Sequence, residues 1–180
     1  ATLHTNSAPE SVVRLLDMGM DPFNFADALL GILAQRLAKR LCANCKKSYV
    51  ASEEEIRHLV GEYTEELRHT TAFSKDPSGA AEAVYAEWAG KFAKDKGKFT
   101  LYKPVGCSEC NDTGYKGRLG LHEMMVGTDQ VKKLIQERAR VALLLAAALE
   151  DGMRTLKMDG IEKVLMGLTD MKQVRAVCIK

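Results

Sequence analysis

The sequence has little of several features that would place a protein in a functional class at once. Its 180 residues include one tryptophan and four prolines, and the formal net charge is only +2. A charge so close to balance provides no general field that attracts nucleic acid or a membrane surface. No apolar run reaches the roughly 20 residues that cross a bilayer, and no charged and then apolar leader opens the sequence. These features predict a cytoplasmic protein without a transmembrane segment.

Complete catalytic motifs are also missing from the sequence. A P-loop requires a glycine, four residues, a second glycine, a lysine and then a hydroxyl residue that binds magnesium. The Gly-Lys steps, Gly90-Lys91 and Gly97-Lys98, are each followed by phenylalanine. There is no G-x-G-x-x-G, His-Glu-x-x-His or G-x-S-x-G pattern either. We therefore expect no enzymatic activity from these residues alone.

The start of the sequence, Ala-Thr-Leu-His-Thr-Asn, carries no initiator methionine and predicts entry in the middle of a domain. His4 lies at the predicted end of a strand, where α/β sheets place residues that face a ligand. Thr5 and Asn6 add polar groups beside it. A histidine in this position more often caps or packs than binds, so the pattern leaves a structural and a functional role open.

Cysteine is the residue type that carries the clearest pattern. Cys42/Cys45 and Cys107/Cys110 form two Cys-x-x-Cys pairs, while Cys178 is left over. Each pair has the spacing at which one turn of backbone directs two thiolates at one metal ion, and two pairs complete a closed tetrahedral site for structural zinc. The alternatives are unrelated buried thiols or a redox-active dithiol. An unpaired fifth cysteine fits a reducing compartment better than a disulfide framework.

The segment between the cysteine pairs is long for one metal site. It contains 61 residues, 46 to 106, whereas a compact zinc ribbon has fifteen to twenty. A helix is predicted after Ser52, with an apolar face from Ile56 to Leu67, and a second one carries Val84 and Trp88. We expect the two helices to pack as an antiparallel hairpin, followed by a short strand at residues 99 to 102.

We call residues 46 to 106, between the cysteine pairs, the excursion. The segments on either side of it are predicted to be mostly helical. Pro9 fits the first turn of a helix that ends before Gly19. A longer helix is predicted from Asp21 to Leu41, directly before Cys42, because leucines recur at helical spacing. Residues 111 to 118 have the composition of a turn, and residues 119 to 126 are predicted to form a strand. Three further helices and a last helical turn are expected. Thr128 is the predicted cap of the first helix, and Gly152 is the predicted end of the second. Asp159, together with Glu162, is the predicted cap of the third.

A group of basic residues lies near the cysteines: Arg36, Lys39, Arg40, Lys46, Lys47, Lys116 and Arg118. Such a group is one signature of a nucleic-acid interface. It equally fits the need to offset the formal charge of a zinc tetrathiolate with nearby cations. No aromatic residues interleave with the group, which favours the second interpretation.

Five sequence segments resemble, in order, the C-terminal part of the type II secretion and type IV pilus assembly ATPases. They are Thr2-Leu-His-Thr-Asn6, Arg14-Leu-Leu-Asp-Met-Gly19, Gly31-Ile-Leu-Ala-Gln-Arg-Leu37, Gly114-Tyr-Lys-Gly-Arg118, and Gly152-Met-Arg-Thr-Leu156 followed by Asp159-Gly160. The resemblance covers the sequence from end to end except for residues 50 to 103. It implies a RecA-like ATPase fold and a hexameric motor that drives pseudopilus or pilus assembly at the inner membrane through platform proteins.

The resemblance also implies roles for particular residues. His4 corresponds to the family's His-box histidine near the γ-phosphate, and Cys42, Cys45, Cys107 and Cys110 correspond to its zinc ligands. The P-loop and the other residues that bind ATP and magnesium belong to the full-length parent, ahead of residue 1. Gln35 and Arg36 match a family signature without an assigned physical role.

The expected fold is mainly α with a few short strands. We predict a C-terminal portion of a RecA-like ATPase domain at residues 1–41 and a four-cysteine zinc subdomain at 42–118, with a helical hairpin inserted at about 50–103. A helical C-terminal subdomain is expected at 119–180. The expected function is a zinc-stabilised structural and coupling module of a motor ATPase, without nucleic-acid binding. The alternatives are a freestanding zinc ribbon that binds nucleic acid or a protein, and a dithiol redox protein.

Overall fold

The computed structural model describes residues 3–93 and 97–178. Thr2, which begins the His-box-like segment, and Lys180, which ends the predicted helical subdomain, lie outside this range. The elements in chain order are α1 (Ala8–Asp17), α2 (Pro22–Ala28), β1 (Gly31–Leu41), β2 (Lys47–Val50), α3 (Glu53–Glu65), α4 (Thr71–Lys75), α5 (Pro77–Phe92), β3 (Thr100–Lys103), a 3-10 turn (Ser108–Cys110), β4 (Tyr115–Val126), α6 (Asp129–Gln136), α7 (Val141–Glu150), α8 (Leu156–Leu165) and α9 (Met171–Val177). The fold is therefore mainly helical with small antiparallel sheets.

The longest strands, β1 and β4, form a two-stranded antiparallel ribbon. Gly31 lies opposite Val126 at one end and Leu41 lies opposite Tyr115 at the other. Burial alternates strictly along the second half of β4, because successive side chains point to opposite faces of a strand. The inner face of the ribbon is covered by α1, α8 and α9, and the outer face is exposed.

The predicted helix from Asp21 to Leu41 is wrong beyond its first turns. The helix α2 ends at Ala28, Leu29 takes an extended conformation with φ −73° and ψ 120°, and the chain continues as β1. Leucine, alanine, glutamine and arginine favour a helix in isolation. In the folded chain, β4 satisfies the backbone groups of β1, and this pairing outweighs local propensity.

The two helices predicted in the excursion are present as α3 and α5, and they pack against each other. Ser52 caps α3 by accepting a hydrogen bond from the backbone N–H of Glu55 at 3.1 Å. Trp88 of α5 is 1% exposed, and its ring meets that of Tyr63 of α3 edge-on, with 5.1 Å between centroids. The Tyr63 hydroxyl donates to Glu162 of α8 at 3.0 Å. The hairpin is thus also tied to the C-terminal helices.

The C-terminal helices follow the sequence closely, with one difference in register. Thr128 caps α6 and Gly152, with φ +97°, ends α7. The predicted start of the third helix at Asp159 is wrong, because Thr155 caps α8 earlier by accepting from the N–H of Met158. Asp159 instead lies within α8 and pairs with Lys163 at 2.5 Å.

Buried residues from most of the chain join into one main hydrophobic core. It includes Val12 of α1, Ile56 of α3, Met125 of β4, Ile161 of α8 and Val174 of α9. None of the described helices has both the length and the apolar composition to cross a membrane.

Candidate metal centre and the His4 segment

The cysteine pairs are brought together by the two antiparallel strand pairs. Cys42 follows the last residue of β1, and β4 begins shortly after Cys110. Cys45 precedes β2, and β3 precedes Cys107, with Lys47 opposite Lys103 in the register of the second pair. The excursion therefore leaves through β2 and returns through β3. This arrangement explains how a long insertion can start and end at one point.

The four sulfur atoms have the spacing of a tetrahedral site. The Sγ atoms of Cys42 and Cys107 are 3.9 Å apart, those of Cys45 and Cys110 are 3.8 Å apart, and those of Cys107 and Cys110 are 3.8 Å apart. All four lie within 4.8 Å of one another. Four sulfurs at a Zn–S distance of about 2.3 Å are about 3.8 Å apart in a regular tetrahedron. The four cysteines can therefore hold one metal ion.

Backbone N–H groups point at the sulfurs and favour their ionised form. The N–H of Gly106 donates to Cys45 Sγ at 3.3 Å, and the N–H groups of Cys107 and Gly114 donate to Cys110 Sγ at 3.3 and 3.2 Å. Burial opposes ionisation of Cys110, but these N–H groups and the neighbouring thiols lower its pKa to about 6. Burial and the hydrogen bond with Cys110 raise the pKa of Cys107 to about 11. Of these two thiols, Cys110 therefore ionises more readily, and the thiolate is the form that binds metal.

The backbone around the second pair requires glycine at two positions. Gly106 has φ +121°, and a Cβ atom on it would lie 2.8 Å from the carbonyl oxygen of Asp112. Gly114 has φ +78°, and its Cβ would lie 2.5 Å from Cβ of Pro104. The carbonyl of Gly114 also accepts a hydrogen bond from the N–H of Cys42 at 2.9 Å. The turn after Cys110 is therefore linked to the first cysteine pair by this hydrogen bond.

Two of the basic residues near the cysteines are engaged within the protein. Lys46 donates to the carbonyl of Gly167 at 2.7 Å and lies 4.3 Å from the ring centroid of Tyr102. Lys116 pairs with Glu109 at 2.7 Å. Both ammonium groups therefore have partners within the protein, and neither of these contacts is made with a sulfur atom.

His4 lies exposed in an irregular segment that leads into α1. The predicted strand that would end at His4 involves Ala1 and Thr2, which are outside the described residues. The next residues are held firmly: Thr5 Oγ1 shares a hydrogen bond with Ser11 Oγ at 2.6 Å. The structure therefore fixes the backbone after His4 and leaves its imidazole accessible.

Arg36 is a residue whose role sequence reasoning missed. Its Nη2 atom donates to the carbonyl of Thr5 at 3.3 Å and to Oδ1 of Asn6 at 2.9 Å. On a helix, Arg36 would be one more cation in the last turns. On β1 it lies among the residues of the inner face and reaches the segment that carries His4. Burial alternates from Ile32 to Ala38 in the structure, but apolar residues occupy both faces of this stretch, so the residue pattern itself carries no signal for a strand.

Comparison with known proteins gives consistent matches over the whole chain. The sequence model of a family described as "Type II/IV secretion system protein" matches residues 1–176. The type IV pilus assembly ATPase PilB of Thermus thermophilus is 36% identical over 180 residues, which are 100% of this chain and 17% of the relative.

Proteins of the secretion branch are equally similar. The type II secretion system protein E of Dickeya dadantii is 35% identical over 174 residues, 97% of this chain and 28% of that protein. The type II secretion system ATPase E of Vibrio cholerae is 34% identical over 181 residues, 98% of this chain and 29% of that protein. The chain thus spans less than a third of the length of these relatives.

Proposed function

The chain belongs to the type II/IV secretion system protein family, and from that premise we propose that it is the C-terminal part of a motor ATPase that assembles a pseudopilus or a pilus. The observation that carries the proposal is the family match over residues 1–176. It is supported by relatives that are named as ATPases of both machines and that align with nearly the whole chain. A freestanding zinc ribbon would not share both flanks of the cysteine pairs with these proteins.

The content of the 180 residues indicates which roles in the motor this chain can have and which belong to the rest of the protein. They have no P-loop, so ATP and magnesium would be held by other parts of the full-length protein, working as a RecA-like hexamer on the cytoplasmic face of the inner membrane. Platform proteins of that membrane are the expected partners. This chain would contribute a structural and coupling module.

Zinc is the metal that we propose for the cysteine cluster. Four cysteine sulfurs with tetrahedral spacing are a typical set for structural zinc, and no position is left open for a substrate. Cys42, Cys45, Cys107 and Cys110 would hold the ion, which supplies a cross-link between the ends of the excursion and no catalysis. A dithiol redox role fits less well, because the sulfurs gather as one group of four and not as two separate pairs.

His4 is proposed to act near the γ-phosphate of ATP in the full-length protein. Its exposed side chain and the fixed backbone after it support this role. The segments Gly117–Leu119 of β4 and Gln35–Leu37 of β1 would then have a structural role. They form part of the ribbon against which the His4 segment lies.

The decisive experiment measures ATP hydrolysis by the full-length protein and by the 180-residue chain. We expect turnover in the first and none in the second, since the chain lacks the phosphate-binding loop. The control is the full-length protein with its P-loop lysine replaced by alanine. Full-length protein with no more activity than that control would show that the proposal is wrong.

A further inference from the structure

One buried carboxylate joins the first turns of two helices that are far apart in the sequence. Glu123 of β4 is 2% exposed. Its Oε1 accepts a hydrogen bond from the N–H of Ala8 at 2.7 Å, and its Oε2 accepts one from the N–H of Leu156 at 3.2 Å. Ala8 and Leu156 are the first residues of α1 and α8. The side chain therefore holds both helix starts on the inner face of the ribbon.

These hydrogen bonds complete the capping of α1 and add a second cap to α8. The first N–H groups of a helix have no partner within it. In α1, Ser7 accepts from the N–H of Glu10 at 3.3 Å, and Pro9 has no N–H to satisfy. Ala8 is then the remaining donor ahead of the first helical hydrogen bond, and Glu123 satisfies it. In α8, Thr155 accepts from Met158, so Glu123 again supplies a second cap.

The carboxylate is kept buried at an electrostatic cost. Burial raises the pKa of Glu123 above its usual range, and the charges of Glu66 and Glu10 raise it further, although the N–H groups of Ala8 and Leu156 act in the opposite direction. A neutral apolar residue at this position of β4 would avoid that cost. The two N–H groups that the carboxylate accepts from offset this cost and give the side chain a role beyond filling the core.

The position of Glu123 suggests that role. Glu123 lies opposite Ala34 in the register, and Arg36 follows on the same face of β1. Arg36 holds Thr5 and Asn6, while Glu123 holds Ala8. Two side chains of the inner face of the ribbon thus form hydrogen bonds with the residues before and after Ser7. Through its two oxygens, Glu123 links this segment directly to α8.

We propose that Glu123 is a positioning residue that fixes the start of α1, and through it His4, relative to α8 and the C-terminal helices. The proposal rests on the proposed function of His4 in ATP hydrolysis. A movement of the C-terminal helices would then shift His4 at the nucleotide site through this carboxylate. A change at the nucleotide site would shift the C-terminal helices in the same way. A misplacement of about 1 Å in a catalytic geometry can cost roughly 100-fold in rate.

The variant that tests the proposal is Glu123→Gln. Glutamine has the same shape but only one acceptor oxygen, so its NH2 group must face one of the two helix N–H donors. Glu54→Gln is the matched control, because Glu54 is an exposed glutamate in the first turn of α3. Hydrogen exchange of the 180-residue chain is read at Ala8 and Leu156. We expect at least one of these amides to exchange roughly 10-fold or more faster in Glu123→Gln, at unchanged metal content.

Activity is measured in the full-length protein for Glu123→Gln, His4→Ala and the double variant. We expect kcat to fall roughly 10- to 100-fold in Glu123→Gln while KM for ATP stays within about twofold. If Glu123 acts through His4, adding Glu123→Gln to His4→Ala should cause little further loss, because the two changes are not independent. A purely structural role would instead lower the active fraction, which also reduces the apparent kcat at constant KM, so turnover is expressed per folded, ATP-binding molecule. After that correction a structural role leaves kcat unchanged in Glu123→Gln, and any loss of active fraction adds to the effect of His4→Ala.

The outcomes separate this proposal from the proposed function. A wild-type full-length protein without ATPase activity would overturn the proposed function and this inference with it. An active wild type with unchanged kcat in folded Glu123→Gln, or with additive losses in the double variant, would overturn the inference alone. If Glu123→Gln does not fold, Glu123→Asp keeps both oxygens but sets them back by one methylene, and the same comparisons of kcat, KM and additivity are made with it.

Discussion

The cysteine cluster and the His4 segment are both attached to β1, and they differ in how complete they are. Four sulfur atoms of this chain, with backbone N–H groups directed at them, lie close enough together to hold one metal ion. His4 stands exposed, although Arg36 and Ser11 fix the residues directly after it. One region has every partner that its chemistry requires. The other presents a single group from a fixed support.

Under the proposed assignments, the cysteine cluster contributes to stability and His4 contributes to function. A closed four-cysteine site has no position for a substrate, so its contribution is to hold chain segments together. A lone imidazole on the surface contributes little to folding, but it can act on a group that another part of a larger protein provides. Changes at the cysteines should therefore show in the 180-residue chain itself, and changes at His4 should show only in the full-length protein.

The largest effect is expected from Cys110→Ser. A serine hydroxyl is a poor substitute for a thiolate in a structural zinc site, and such sites provide roughly 10–16 kcal/mol of apparent binding energy in zinc-finger peptides. We expect the variant to lose its equivalent of zinc and several kcal/mol of stability. The loop of Gly167 and Thr169 should loosen with the cluster, since Lys46 and Lys39 bond to it. Elemental analysis and thermal unfolding provide the measurements.

The matched control for that change is Cys178→Ser. Burial raises the pKa of Cys178 to about 11, and this thiol lies outside the four-cysteine cluster. Its replacement should leave the zinc content at one equivalent per chain. Equal loss of zinc in both variants, or less than about half an equivalent in the wild type, would contradict the metal assignment.

The next effect in size concerns Trp88→Ala. Truncation of a fully buried aromatic residue typically costs about 3–5 kcal/mol. Because Trp88 belongs to the same core as Ile161 and Val174, we expect the whole chain to unfold in one transition at lower denaturant concentration. Phe23→Ala, at an aromatic residue that is 59% exposed, should change stability by less than about 0.5 kcal/mol. A separate early transition for the excursion would show that the hairpin folds independently.

The sequence allowed the cysteine site to be predicted because the signal lies in spacing. Two Cys-x-x-Cys pairs require short turns, and such turns place the thiols whatever the rest of the fold does. The hairpin of α3 and α5 was predictable for a similar reason, since Ser52 and the face around Trp88 mark the helices locally.

The ribbon could not be predicted in the same way, because its cause is not local. The sequence from Leu29 to Leu41 favours a helix, and residues 31 to 41 become a strand only because the distant strand β4 supplies their hydrogen bonds. The roles of Arg36 and Glu123 depend on that pairing. A helix assigned to residues 21 to 41 placed Arg36 among the surface cations, and the hydrogen bonds of Glu123 to Ala8 and Leu156 join residues too far apart in the sequence for a local pattern to indicate them.

A smaller effect is expected from Glu62→Gln at neutral pH. Glu62 of α3 accepts hydrogen bonds from Arg175 of α9 and lies 3.2 Å from Lys157 of α8. The hydrogen bond with Arg175 is the main reason that the pKa of Glu62 is lowered. Its stabilisation is therefore present above the pKa of an unfolded glutamate and is lost as the pH falls through the folded value.

Unfolding of Glu62→Gln as a function of pH provides the test. We expect a loss of about 0.5–1 kcal/mol at pH 7, since Arg175 is half exposed, and a difference from wild type that shrinks on acidification. Glu53→Gln removes an exposed pair with Arg57 and serves as the control with a smaller change. A difference that grows as the pH falls would contradict the direction of the pKa.

The smallest effect on the 180-residue chain is expected from His4→Ala. His4 is exposed, so its truncation should change stability by less than about 0.5 kcal/mol and leave the zinc content unchanged. In the full-length protein, however, kcat should fall roughly 100-fold, the size typical for the loss of one donor to charge that develops in a transition state, with KM for ATP nearly constant. His69→Ala, at another exposed histidine, should change neither quantity. If His4→Ala destabilises the chain by more than about 1 kcal/mol while kcat in the full-length protein is unchanged, then His4 is a structural residue like the cysteines.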